Sequence, residues 1–400
     1  MKKQLSVVLI ALLAMTYLGY GQAKKADQKF GIKWHGFVKA DYMYDTRQNV
    51  TAREGHFLLF PSGENIDIAT GDDLNAQTNF NILAVQTRLT GKITGPDFFG
   101  MKTSGVIEGA FFGQANANIN SFRLRHAFIK LSNDKVDIIM GQYWSPLFVT
   151  AVYPGTYSFN TGVPFQPFAR NPQFRITTKG KVRFIGVIYS ERDFASRGPL
   201  GTTSTYLRNS GFAQVHAQLQ FGGKEFLGGF GINLKPLRPE LGKETITNTT
   251  LIAYMKAKVG KATFKLEGIL GENMSDELSI SGLAEAVGGG YTANQTLSVW
   301  SELSGKGKST EWGIFTGYTK NNGFNDPVGG AIWGLAPTMD HAFRLSPRIG
   351  WFSGKMKLGT EFEFTSAQYG ALASNKMDID TSGINSVTNF RILFTAIYGF

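Results

Sequence analysis

The sequence predicts an all-β protein, a transmembrane antiparallel up-and-down β-barrel of about 16 strands with short turns at one end and long loops at the other. Three observations predict it. Apolar and polar residues alternate with period two over stretches of about thirteen residues, longer than the five or six usual in soluble sheets. The connections between these stretches are alternately very short and long. After the amino-terminal apolar run, no stretch approaches the roughly eighteen consecutive apolar residues that mark a spanning helix.

At the amino end, Lys2 and Lys3 precede an apolar run over residues 5–18, and Gly21-Gln22-Ala23 places small residues at a cleavage site. Residues 1–23 therefore read as a signal peptide, because the run is short of the roughly twenty residues a spanning helix needs. Removing Lys2 and Lys3 from the formal charge of +11 leaves about +9 on the exported chain. After export such a charge attracts anions or acidic polymers rather than nucleic acid. The chain has no cysteine, which excludes disulfides, thiolate metal sites and attachment through a lipidated cysteine. A barrel closes by pairing its first and last strands and leaves no room for a second domain, so residues 24–400 read as one barrel domain.

The first strand, IKWHGFVKADYMYD, places Ile32, Trp34, Val38, Tyr42 and Tyr44 on one face and Lys33, His35, Lys39, Asp41 and Asp45 on the other. Short turns follow at residues 95–100, 132–135, 179–181, 222–224, 260–261, 305–309 and 353–355. Long connections fall at 45–76, 115–120, 146–172, 192–209, 235–247, 271–290, 319–340 and 366–387. Seven turns and eight loops join sixteen strands. An even count with this sorting puts both termini and the short turns in the periplasm and the long loops outside. The clearest hairpin turns at Gly260, with Leu251, Ala253 and Met255 opposing Tyr254, Lys256 and Lys258. Residues 226–234 are glycine-rich and read as a bulged strand, and Pro347 reads as an interruption of the strand over 343–351.

The sequence finishes on TNFRILFTAIYGF. Phe390, Ile392, Phe394, Tyr398 and Phe400 share a face that reads as lipid-facing, with Arg391 turned to the lumen. A last strand of this kind seals against the first, and its terminal phenylalanine resembles the signal read by the barrel-assembly machinery.

If the apolar register faces lipid, the other lines a pore. Arg88, Glu108, Arg123, Arg125, Arg175, Arg183, Lys256, Lys258, Lys265, Glu267, Glu302, Arg344, Arg348, Glu361, Glu363 and Arg391 fall on it, with bases in excess. Fixed positive charge in a water-filled constriction concentrates anions, and the planar arginine fork suits carboxylate or phosphate. The alternative for each arginine is a cross-strand pair with glutamate that stiffens the wall.

Two adjacent stretches, SFRLRHAFIKL at residues 121–131 and IIMGQYWSPLF at 138–148, lead through a Pro-, Gly- and aromatic-rich connection into ARNPQFRIT. They resemble trimeric porins of the DcaP-like and phosphate-selective type. The resemblance implies a homotrimer whose third outer loop, here 146–172, folds into the lumen. It also implies a constriction built from Arg123, Arg125 and Arg170, with Arg175, Arg183, Arg344, Arg348 and Arg391 as further candidates for binding anions. Arg170 is the one basic residue of that loop, which counts against a phosphate-specific channel. Tyr153, Tyr157, Phe159, Phe165 and Phe168 read either as a sliding surface for organic solutes or as anchors for the loop.

These features point to a weakly anion-selective porin of the bacterial outer membrane, passing small anionic or neutral hydrophilic solutes, organic acids among them. Outer-membrane lipid and lipopolysaccharide are the expected surroundings. A surface adhesin is the first alternative. An outer-membrane hydrolase is the second, although His35, His56, His126, His216 and His341 are scattered and none sits in a nucleophile or metalloprotease motif. No catalytic residue, cofactor or metal is expected.

Overall fold

The computed structural model describes residues 30–400, so the signal peptide expected over residues 1–23 lies outside the described residues. Sixteen antiparallel strands close into one barrel. In chain order they are β1 (Gly31–Asp45), β2 in two segments (Asn79–Leu83 and Arg88–Thr94), β3 (Lys102–Phe111), β4 (Phe122–Ser132) and β5 (Val136–Trp144). Then come β6 (Arg170–Thr178), β7 (Val182–Tyr189), β8 (Gln214–Gly222), β9 (Phe226–Leu237), β10 (Ile246–Val259) and β11 (Ala262–Glu272). The barrel is completed by β12 (Tyr291–Lys306), β13 (Thr310–Phe324), β14 (Met339–Ser353), β15 (Met356–Tyr369) and β16 (Ser386–Gly399).

Alternation explains the strands, since every second side chain is either out in lipid or in the lumen. Trp34, Val38 and Tyr42 of β1 and Phe390, Ile392 and Phe394 of β16 are exposed outward, while Asp41, Asp45 and Arg391 are buried inward. The seam forms as the sequence indicates, with β1 paired to β16 from Phe37↔Gly399 to Asp45↔Arg391. The two-residue turn at 260–261 needs a left-handed residue, and Gly260 supplies it at φ 60°.

Two expectations about strand continuity are corrected. The glycine-rich β9 is regular along its whole pairing with β10 and carries no bulge. Its glycines instead make room for lumen side chains: a Cβ at Gly231 would lie 3.0 Å from Gln218 Cβ, and one at Gly229 would collide with the Tyr254 hydroxyl. Pro347 does not break β14. Pairing with β15 lapses between Leu345 and Arg348, and pairing with β13 through Ile314 carries the strand across the missing N–H.

The barrel interior is filled from the long-loop end by three loops rather than one. Loop 3 (145–169) enters as the resemblance implies, burying Phe159, Phe165 and Phe168. Loop 1 (46–78) joins it through a buried strand, Phe57–Pro61, and loop 6 (273–290) through Met274, Leu278 and Ile280. Together with Phe112, Trp300 and Phe315 they form one apolar cluster inside the barrel. Each fully buried phenylalanine in it contributes about 1.5–3 kcal/mol. Phe57, Phe159 and Phe168 meet edge to face, with centroids 4.8–5.8 Å apart.

Candidate functional site

Loop 3 hangs from one wall of the lumen by its own backbone. Glu361 of β15 accepts the N–H groups of Tyr157 and Ser158, the latter at 2.9 Å. Glu302 of β12 accepts Gly155 N–H at 2.5 Å, and Glu363 accepts the Asn160 amide at 2.7 Å. Cations hold the loop's carbonyls. Lys39 Nζ donates to Tyr157 O at 2.8 Å, Lys265 Nζ to Tyr153 O at 2.9 Å, and Arg344 Nη1 to Val163 O at 2.8 Å. Glycines let the loop lie close: a Cβ at Gly317 would sit 2.5 Å from the Phe165 ring. The lumen carboxylates of β12 and β15 are thereby committed to holding the loop.

The opposite wall is basic. Along β4, pairing with β3 passes from Glu108↔His126 to Gly109↔Leu124, so Arg125 is the extra residue of a β-bulge. The bulge turns Arg125 inward beside His126 while Arg123 keeps the same side. Arg125 Nε donates to Glu108 Oε1 at 2.8 Å, and Arg88 Nε lies 3.7 Å from the same oxygen. Thr90 Oγ1 donates to Glu108 Oε2 at 2.8 Å.

Above them, Asp193 of loop 4 (190–213) collects three guanidinium groups. Arg170 contacts Oδ2 through Nε at 2.9 Å and Nη2 at 2.5 Å, Arg123 reaches Oδ1 at 2.6 Å, and Arg53 reaches Oδ1 at 3.1 Å. Burial pushes the Asp193 carboxyl up, but Arg170, Arg123 and Arg53 outweigh it and hold it well below the usual carboxylate range. Aromatic faces take part of the remaining charge, with Arg53 about 5 Å from the Phe57, Phe112 and Phe194 rings and Arg170 5.0 Å from Trp144.

Five arginines thus share two carboxylates. Nitrogens on Arg53, Arg123, Arg125 and Arg170 make no hydrogen bond among the described residues. The part of this group that solvent reaches is Arg88 and Arg123, at 20% and 15% side-chain exposure.

The structure therefore brings Arg123, Arg125 and Arg170 into one cluster and places the other candidates elsewhere. Arg175 bonds Gln173 Oε1 at 3.0 Å and Trp144 O at 3.2 Å, with its guanidinium over Tyr143. Arg183 sits at the short-turn end, donating to Gly222 O at 3.2 Å. Arg348 pairs with Glu302 at 3.1 Å. Arg344 donates to Leu58 O and Leu59 O at 3.1 and 2.9 Å besides Val163 O, so it fastens loops 1 and 3 together. Arg391 pairs with Asp45 and donates to Gly55 O at 2.8 Å. Of the aromatic residues of loop 3, Tyr157, Phe159, Phe165 and Phe168 are buried, and Tyr153 is exposed.

Arg53 and Asp193 escaped sequence reasoning because both lie in loops, where no periodicity assigns a facing. Among the described residues, no group of three or more His, Cys, Asp or Glu side chains is placed to hold a metal ion.

No protein-family model matches the chain, and no curated protein sequence matches it. Solved structures do. The outer membrane channel DcaP of Acinetobacter baumannii superposes with a TM-score of 0.72 at 16% identity, covering 94% of this chain and 99% of that one. An anion-selective porin from Comamonas acidovorans gives 0.58 at 11% identity, covering 93% and 100%. The trimer form of OmpT, an outer membrane protein of Vibrio cholerae, gives 0.55 at 9% identity, covering 93% and 99%. At these identities the likeness is one of fold, and it is the fold of outer-membrane porins.

Proposed function

We propose that the protein is a porin of the bacterial outer membrane through which small hydrophilic solutes diffuse passively, with a weak preference for anions, organic acids among them. It works as a homotrimer and as a channel rather than an enzyme. The observation that carries the anion preference is the unequal use of charge across the lumen. Glu302, Glu361 and Glu363 are occupied by loop 3, whereas Arg53, Arg88, Arg123, Arg125 and Arg170 share only Glu108 and Asp193. A solute passing loop 3 meets net positive charge on one side and, on the other, carboxylates bonded to the loop, of which Glu302 and Glu363 are paired with Lys265, Arg348 and Arg344. The likeness to a porin titled anion-selective and to a trimer form supports this reading at the level of fold.

Three inserted loops occupy the lumen, so small single-channel steps are expected. Planar-bilayer recording in a salt gradient tests the proposal. Discrete steps with a reversal potential on the anion side are expected, weakening as salt screens the arginines. A membrane that shows no steps would refute the channel, and a cation-side reversal potential would refute the selectivity.

A further inference from the structure

The seven short turns carry a second pattern that the pore does not use. Six of them present a lysine: Lys135, Lys181, Lys224, Lys261, Lys308 and Lys355, all exposed. Among the described residues none of the six ammonium groups makes a hydrogen bond or ion pair, although Lys130, Lys179 and Lys258 just inside the rim are paired with Asp137 and Glu225. The other end of the barrel carries both signs, with Glu64, Asp72, Glu240, Glu244, Asp378 and Asp380 exposed on the long loops beside Arg192, Arg208, Lys243 and Lys376.

The depth of the lysines identifies what faces them. Outward-facing apolar side chains next to the turns include Val182, Phe226, Val259, Trp312 and Met356, all exposed. Each lies one to four residues from a turn lysine. At about 3.3 Å per residue the ammonium roots stand roughly 3–13 Å beyond the edge of the apolar band. That is the headgroup layer, where lysine stems lie along apolar surface and the charge reaches phosphate. We infer that the short-turn rim is a collar for anionic phospholipid headgroups in the leaflet around it, and that this collar favours phosphatidylglycerol-like lipids over zwitterionic ones.

The test uses the purified full-length mature protein in vesicles of phosphatidylcholine and phosphatidylglycerol. Brominated versions of each lipid quench the outward Trp34, Trp312 and Trp351, which gives a relative binding constant for the two lipids. A preference of about threefold for the anionic lipid is expected, shrinking toward one in high salt. Replacing all six lysines by glutamine should abolish the preference while leaving the folded band on unheated gels unchanged. Equal binding of the two lipids by the native protein overturns the inference, as does a preference that survives the six glutamines. A parallel sedimentation with purified peptidoglycan separates the other acidic periplasmic surface. Lysine-dependent binding to peptidoglycan, without any lipid preference, would assign the collar to the glycan layer and overturn the lipid assignment.

Discussion

Arg391 grips Asp45 through two hydrogen bonds across the seam where β16 meets β1, Nε to Oδ1 at 2.9 Å and Nη2 to Oδ2 at 2.7 Å. Its remaining nitrogen donates to Gly55 O, so one guanidinium closes the barrel and holds loop 1 inside it. Both partners are buried, and removing one leaves the other charge unpaired, at about 3–5 kcal/mol. Arg391→Leu is expected to lower the temperature at which the folded band disappears on gels. The double variant with Asp45→Leu should recover part of that loss. A double variant that melts no higher than Arg391→Leu would show that the two are not coupled.

Neutralising the bulge should alter selectivity before it alters stability. With Arg123→Gln and Arg125→Gln together, the anion-to-cation permeability ratio is expected to fall toward one. Arg183→Gln, at the short-turn mouth, should change it less. Equal effects from the two sites would mean that general lumen charge, not the cluster around Glu108 and Asp193, sets the preference.

Glu361 decides where loop 3 sits, because it accepts two backbone N–H groups of the loop as well as the Ser346 hydroxyl at 2.5 Å. Glu361→Ala strands those N–H groups, each costing about 1–3 kcal/mol if it stays buried. The loop is expected to loosen, and single-channel recordings should show larger and noisier steps. Quiet steps of native size would place the hold on the loop elsewhere.

The contact between loops 4 and 6 should weaken as pH rises. Glu191 of loop 4 is buried beside Asp276, Glu277 and Lys235, and burial with the Asp276 charge pushes its carboxyl from the ordinary 4.5 up to about 7. Between those values the folded state binds more protons than the unfolded one, so the contribution is full below the lower value and lost as pH rises through the upper. Amides of Ser275–Glu277, after correction for intrinsic exchange, are expected to be better protected at about pH 5 than at about pH 8.5. Glu191→Gln should level the difference, and a difference that persists would exclude Glu191 as its source.

Much of the fold is legible in the residues themselves. The alternation in Leu251–Ala253–Met255 against Tyr254–Lys256–Lys258, and the placing of glycine and lysine between such runs, is local information. A strand needs only its own neighbours to show which face is apolar. The departures are local too: the glycines of β9 look like a bulge because the sequence does not show that Tyr254 and Gln218 fill the space above them. The bulge at Arg125 has no glycine in its own strand to mark it.

The candidate site is legible in part. Arg123, Arg125 and Arg170 can be singled out from the strand and the loop that carry them. Arg53 and Asp193 cannot, since they lie 140 residues apart in two loops and meet only inside the barrel. The commitment of Glu302, Glu361 and Glu363 to the backbone of loop 3 is equally hidden, because a lumen glutamate facing water and one facing a loop have the same sequence pattern.

Local alternation and turn chemistry therefore specify the wall: the strand number, which register meets lipid, the seam between the first and last strands, and the end that bears the long loops. How the lumen is filled, and which charges stay free, depends on contacts between segments far apart in the chain. Period two is enforced by the pleat at every residue, whereas loops 1, 3 and 6 enter the barrel only because apolar and charged partners from distant strands converge there once the cylinder has closed.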